Sequence, residues 1–447
     1  MKKKIFEQIV LLYSIIKWFI LATIIGIIVG LSTTIFLKLL NLSINFTNNF
    51  YFYFLLLPVV FFLNIILTKY VVPEAEGHGT EKVIEAIHKR NGKMNPLMVP
   101  IKLFTTILTL ALGGSAGKEG PCAQIGAGLS SMFADIFKFN DTDRKKLVIC
   151  GISAGFASVF GTPIAGAIFG LEVLVVGTIM YDVLLPSFIS GIIAFEVSSF
   201  LGIKYSYYHM ALPSEFTNIF PLILLSGIFF GLCSFFLIEV LNSFKFLSKK
   251  INIWKPLKGL IGGMALIVLT FIFSTQFLGL GLNTIEDSLK GMDIVWYAFI
   301  IKIVFTAITL NFGGSGGILT PIFFIGSTSR VLFAKIFGLN IYSSFFAAIG
   351  MAALLAGAAN TPISASIMAV ELFGVGIAPY ASIACIISFL ITGHRSVYPS
   401  QMLGFKKSIL IDVEVGKEIN TINPEAKIQN SKLLKFIFDR INKNKPE

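Results

Sequence analysis

The chain has 447 residues, 55% of them hydrophobic and only 13% charged, and its mean hydropathy is +0.83. So much apolar side chain cannot be hidden in one water-soluble core of this size, which excludes a soluble globular protein and places most of the chain in lipid. The formal net charge of +12 is concentrated in loops and ends: Lys2 to Lys4; His88, Lys89, Arg90 and Lys93; Lys245, Lys249, Lys250 and Lys255; and the stretch from Lys406. That distribution suits a multi-pass cell-membrane protein with positive-inside topology and both termini cytosolic, not a nucleic-acid-binding protein.

In chain order, mainly apolar runs cover 9–40, 51–72, 183–203, 219–240 and 260–278, with a shorter one at 378–391. The longer runs can each cross a hydrocarbon layer of ~30 Å, which takes ~20 helical residues. The first is too long for a signal-peptide core and has no small-residue cleavage site, so it is expected to be retained. Cys122, Cys150, Cys233 and Cys385 all fall in hydrophobic segments without metal or disulfide spacing and read as packing residues. Neither a metal nor a cofactor is expected.

One phrase occurs twice, about 200 residues apart: IKLFTTILTLALGGSAGKEGP from Ile101 to Pro121 and IKIVFTAITLNFGGSGGILTP from Ile301 to Pro321. A second pair follows, Gly155 to Val173 answered by Ala353 to Leu372, in which Thr162-Pro163 matches Thr361-Pro362 and Glu172 matches Glu371. The chain is thus an internal duplication. It divides into a basic N-terminus (1–8), a first membrane repeat (9–203), a more polar linker (204–216), a second repeat (217–403) and a short polar tail (404–447), which has some apolar positions from Leu433 to Ile441. Hydropathy does not say whether the repeats are parallel or inverted. Thr followed by Pro predicts an N-cap and first helical position, so a short helix starts inside each membrane stretch.

Duplicated halves with Gly-interrupted apolar segments point to a transporter or channel with its site near the bilayer midplane. Irregular backbone survives in lipid only where it lines a cavity or holds something. Gly-rich segments leading into helices direct several N–H groups and the positive end of a helix dipole at one point, so the ligand should be an anion. Three segments qualify: Gly77-His78-Gly79-Thr80, Gly117-Lys118-Glu119-Gly120-Pro121 and Gly317-Ile318-Leu319-Thr320-Pro321. Close helix packing alone would not explain a Lys-Glu pair between glycines. A nucleotide-binding loop at 113–118 fails on spacing and on Glu119, which stands where Ser or Thr should meet magnesium.

GKEGP at 117–121, GILTP at 317–321, GHGTEKVIEAIH at 77–88, the helices from Pro163 and Pro362, and Ser396-Val397-Tyr398-Pro399 together resemble the CLC family of chloride channels and proton-coupled chloride antiporters, across about 9–403. The resemblance implies an all-α polytopic fold of two inverted-topology repeats of tilted and broken helices, one anion pore per subunit, and a homodimer. Residue by residue, it implies that backbone N–H groups around Gly117, Lys118 and Gly120 and at Ile318 and Leu319 hold a dehydrated small anion such as chloride. Tyr398 would close the central site with its hydroxyl. Glu119 matches the gating glutamate, and Lys102 a lysine near the pore that raises anion occupancy. For Lys302, its repeat mate, two roles stay open: the same one near the pore, or a salt bridge or snorkelling to the interface. Glu172 and Glu371 are expected to serve structural hydrogen bonds. No pair of cytosolic nucleotide-binding domains would fit after Leu403.

Two departures matter. Val173 stands where proton-coupled members usually carry an inner glutamate, and an aliphatic side chain cannot relay a proton. His78 stands where a serine usually contributes to the anion site, which leaves selectivity among chloride, nitrate, bromide and fluoride open. The leading reading is a passive chloride channel gated by Glu119. Its nearest rival is an antiporter of the same fold, exchanging a proton for chloride or another halide such as fluoride. A membrane-embedded enzyme using Glu119, His78 and Tyr398 lacks ligand spacing among the four histidines (His78, His88, His209, His394), so no enzymatic activity is expected. A sodium-coupled organic-anion transporter lacks polar cation ligands at the helix breaks.

Overall fold

The computed structural model describes residues 2–426 except 209, 211, 214, 215, 340 and 341; the apolar positions of the tail at 433–441, His209 and part of the linker lie outside the described residues. Among the described residues sixteen α-helices occur, and they fall into two series of eight. The first comprises α1 (Lys2–Thr47), α2 (Leu57–Ile66), α3 (Thr80–Lys89), α4 (Met98–Ala111), α5 (Glu119–Ile136), α6 (Asp141–Phe160), α7 (Pro163–Glu172) and α8 (Tyr181–Phe200). The second repeats it with α9 (Phe216–Lys250), α10 (Lys255–Phe273), α11 (Leu282–Leu289), α12 (Ala298–Asn311), α13 (Leu319–Phe337), α14 (Ser343–Ala359), α15 (Pro362–Phe373) and α16 (Ala378–Ile391).

Among the described residues six helical segments are long and apolar enough to cross a membrane: Ile5–Thr47, Tyr53–Val71, Tyr181–Phe200, Ile219–Lys250, Lys255–Phe273 and Leu319–Phe337. The first five correspond to the apolar runs of the sequence and expose rows of large hydrophobic side chains such as Ile16, Phe19, Leu185, Leu232 and Phe271. They form the outer, lipid-facing layer. Inside it, α5 packs along α6 and α13 along α14 with small residues at the seam. A Cβ on Gly126 would meet the Gly151 carbonyl oxygen at 2.4 Å, and one on Gly326 the Gly350 carbonyl oxygen at 2.4 Å. Such contact lets dispersion and backbone packing hold helices that lipid gives no hydrophobic reason to associate.

The halves meet through reciprocal contacts. Gly117 and Gly317 pair as an antiparallel bridge, N–H to carbonyl at 2.7 Å and 2.6 Å. Ser115 N–H donates to Thr309 Oγ1 and Ser315 N–H to Thr109 Oγ1, each at 3.0 Å. Contacts that exchange repeat mates in this way mark a local two-fold between the halves, the relation expected of two inverted repeats.

The short helices α7 and α15 start where the sequence predicts, at Pro163 and Pro362, but their caps differ. Thr162 Oγ1 and Thr361 Oγ1 are buried and accept no cap hydrogen bond. Instead, Glu371 takes the N–H groups of Ile164 (2.9 Å) and Ala165 (2.8 Å), while Glu172 takes those of Ile363 (3.0 Å) and Ser364 (2.8 Å). Each half caps the other's helix with a carboxylate, which a helix N-terminus favours over a neutral hydroxyl.

Beyond the last helix the chain folds back. Met402–Leu403 forms a parallel pair with Val175–Val176, directly after α7, and Ile411–Asp412 pairs antiparallel with Glu425–Ala426. These short strands are a small addition to the all-α design. Val176, Phe389, Leu403, Val413, Ile419 and Ile422 bury one another beneath them.

Candidate functional site

The sequence places Glu119 at the first position of α5, and the inverted repeat brings the start of α13 against it. The Glu119 carboxylate accepts hydrogen bonds from Thr320 N–H at 3.2 Å and from the Thr320 hydroxyl. It is 1% exposed. A Cβ on Gly117 would lie 2.4 Å from Glu119 Oε2 and 3.0 Å from Thr320 N, so the glycine is what leaves room for the carboxylate. Two helix N-termini, from α5 and α13, therefore converge on one buried negative group, the arrangement that offsets the cost of a charge at membrane depth.

Lys118 forms no ion pair with Glu119; it lines a surface recess with Lys38 and Lys204, so a structural Lys118–Glu119 pair is not formed. Gly117, Lys118, Gly120, Ile318 and Leu319 are gathered around the bridge, with Ile318 and Leu319 fully buried. Thr320 was hidden in the GILTP phrase, where it lines up with Gly120 of the first repeat and not with Glu119. Nothing in the sequence marks it as the partner of a carboxylate.

The Gly77–Thr80 turn lies against the same helix end. Gly79 has φ +83°, and a Cβ there would stand 2.5 Å from the Gly120 carbonyl oxygen; one on Gly120 would stand 2.1 Å from that of His78. His78 itself lines a small opening together with Asn242, Lys245, Asn311 and Val397. Its Nδ1 is buried without a hydrogen-bond partner, as are Thr80 Oγ1 and Tyr398 Oη. Thr80 and Tyr398 are close enough for their hydroxyls to interact, but not at hydrogen-bonding geometry. Three buried polar groups without partners are costly unless something they can bond to visits them.

Tyr398 is fully buried and held by a network. Its N–H donates to Ser396 Oγ (2.9 Å), which donates to Gln401 Oε1 (2.6 Å). The Gln401 amide in turn donates to the carbonyls of Val173 and Ala359, both at 2.8 Å. Val173 is fully buried, and its contribution to this network is a backbone carbonyl. Gln401 and Asn360, which donates to the Arg395 carbonyl at 2.8 Å, are positioning residues that the sequence reading did not single out.

Lys102 is fully buried with its ammonium on the carbonyls of Ala75 (3.2 Å) and Gly77 (2.7 Å), behind the turn that carries His78. Lys302 repeats this on Phe277 (3.1 Å) and Gly279 (2.8 Å) and stacks over Phe324. The expected salt bridge or snorkelling of Lys302 is therefore not found: its charge is met by carbonyl dipoles inside the fold. All four cysteines are free and buried, and no cluster of metal-ligating side chains occurs among the described residues.

The model of the voltage gated chloride channel family matches residues 59–393. A protein of Pseudomonas syringae pv. tomato named as a chloride/fluoride channel protein is 34% identical over 411 residues, covering 90% of each chain. The crystal structure of a CLC-type fluoride/proton antiporter aligns with a TM-score of 0.80 and 30% identity over 86% of this chain and 97% of that one. A slow cyanobacterial Cl-/H+ antiporter shares the fold at a TM-score of 0.74 and 20% identity, over 84% of this chain and 94% of that one. With its inverted halves and the paired Gly-rich helix starts, the chain belongs to the CLC family of anion-transporting membrane proteins.

Proposed function

We propose that this chain carries small halide anions, fluoride as well as chloride, past Glu119, and that the Glu119 carboxylate takes up a proton when it leaves its seat at the start of α13. The observation behind this reading is the sealed carboxylate: it occupies the place where two helix N-termini and Thr320 would otherwise hold an anion. Carboxylate and halide compete for the same donors, so an arriving anion favours departure of the side chain. The unpartnered donors at His78, Thr80 and Tyr398 would receive the anion on the far side of Glu119. Hydroxyl and imidazole N–H groups bind a small, strongly hydrogen-bonding anion best, which supports fluoride as cargo alongside chloride. The two fluoride-associated relatives agree with that cargo. The protein is expected to act as a homodimer in a cell membrane, both termini on the side of the basic loops.

The second reading, a passive chloride channel, is favoured by Val173, which offers no proton carrier on the inner side. Proteoliposomes loaded with chloride or fluoride and diluted into low halide, with membrane potential clamped at zero, separate the two. Proton uptake driven by the halide gradient and abolished by Glu119→Gln is the expected result. Halide efflux without proton movement would establish the passive channel. Flux and pH response unaltered by Glu119→Gln would remove Glu119 from the gate in either reading.

A further inference from the structure

A second cavity, of about 230 Å³, lies beside the turn at Gly77, between the end of α2, the end of α9 and the start of α10. Four lysines line it, Lys69, Lys249, Lys255 and Lys258, against a single carboxylate, Glu76. Among the described residues none of the four is in an ion pair, although lysines elsewhere on the molecule find acidic partners, for example Lys146 with Asp182 and Lys406 with Asp412. Lys258 is spent on the Ser248 carbonyl at 2.5 Å, and Lys69 lies over the Tyr70 ring. Four positive charges facing one carboxylate leave an excess that repels itself, so an anion in this cavity lowers its energy.

The rim says which kind of anion. Trp254 donates its indole N–H to the Tyr70 hydroxyl at 3.1 Å, and its ring meets Phe62 edge to face. Trp254 is 53% exposed and Tyr70 55%, and Val71 and Leu257 beside them are also exposed. Aromatic rings with polar tips, exposed aliphatics and lysines at the ends of membrane helices are the composition of a bilayer interface. We propose that the cavity is a binding site for the phosphate of an anionic phospholipid, with the lysines holding the headgroup and the Trp254 rim lying along the acyl chains. This goes beyond halide transport and does not depend on which halide passes Glu119. The wall of the site includes Gly77, whose carbonyl is held by Lys102 and whose neighbour is His78.

Trp254 reports occupancy directly. Its fluorescence, taken as the difference between the unaltered protein and Trp254→Phe, is measured in phosphatidylcholine bilayers containing a minor fraction of brominated phosphatidylglycerol or, separately, brominated phosphatidylcholine. The brominated anionic lipid should quench with a relative binding constant at least about fivefold higher, since one lysine near an anionic surface contributes about that factor. The double variant Lys69→Gln, Lys255→Gln, with both side chains outside the proposed halide path, should bring the two lipids to parity while Glu119-dependent flux persists. Equal quenching by both lipids in the unaltered protein, or a preference that survives the double substitution, would overturn the proposal. So would a Trp254 response to inorganic phosphate in pure phosphatidylcholine without any preference for phosphatidylglycerol, which would make free phosphate the ligand.

Discussion

Replacing Glu172 by Gln tests the cross-capping of the two halves. The carboxylate is 4% exposed and accepts two backbone N–H groups of α15 at 3.0 Å and 2.8 Å. An amide keeps one oxygen as acceptor and turns an NH2 toward the second N–H, leaving a buried donor unpaired at a cost of about 1–3 kcal/mol. Loss of the negative charge at the helix N-terminus adds about 0.5–2 kcal/mol. A destabilisation of roughly 2–4 kcal/mol is therefore expected, read by circular dichroism from reversible unfolding in mixed SDS and maltoside micelles. Glu371→Gln removes the same pair of bonds from α7 at 2.9 Å and 2.8 Å and is expected to cost a similar amount, about 2–4 kcal/mol. A loss below ~0.5 kcal/mol for either variant would refute the capping argument. Intact stability with altered flux would instead place Glu172 in the transport path.

Three other outcomes follow from the geometry. Lys102→Met and Lys302→Met each strip the partner from two buried carbonyls and should each destabilise by about 2–4 kcal/mol in the same unfolding assay, with Lys102→Met alone also slowing halide flux because its carbonyls belong to the turn before His78. Gly79→Ala forces a Cβ to within 2.5 Å of the Gly120 carbonyl at φ +83° and should abolish flux in protein that still inserts; normal flux would show that the turn can move away from α5. His88, at the end of α3 outside the spans, has its Nε2 3.1 Å from the Leu174 carbonyl, and burial lowers its pKa from 6.5. The unfolded chain then binds the proton first, so the stability contributed by neutral His88 is full above pH 6.5 and is lost as pH falls through its folded value, a slope that His88→Gln should flatten in unfolding measured across pH.

The duplication was readable because its marks are local: Ile-Lys, Gly-Gly-Ser and Thr-Pro recur in order, and glycine runs inside apolar sequence announce broken helices. The starts of α5, α7, α13 and α15 follow from that alone. What joins those starts is not local. Thr320 lies 201 residues from Glu119, and Glu371 lies 207 from Ile164, distances at which no periodicity links the partners. Lys102 reads as a charge for the pore and Lys302 as one open to an acid or water, because a sequence shows ionisable groups but not the carbonyls a turn directs at them. The threonine caps failed for a related reason: the rule describes what a hydroxyl does when nothing better is near, and in both halves a carboxylate from the other half is nearer. His78 and Tyr398 were visible as site candidates, whereas Gln401, which fixes Tyr398 to both halves, looks like any polar residue after a turn.

The exchange of caps sets a timetable for biosynthesis. The amides at the start of α7 find their carboxylate only when residue 371 has been made, 207 residues after Ile164. At ~5–20 residues per second the ribosome needs about 10–40 s for that stretch. Throughout that interval the first half sits in the bilayer with a helix end that has no protein partner, and it must borrow water, lipid headgroups or an insertion factor to satisfy it. The late arrival of the second half is thus a maturation step, and variants that weaken it would be lost to quality control before any of them reached a transport assay.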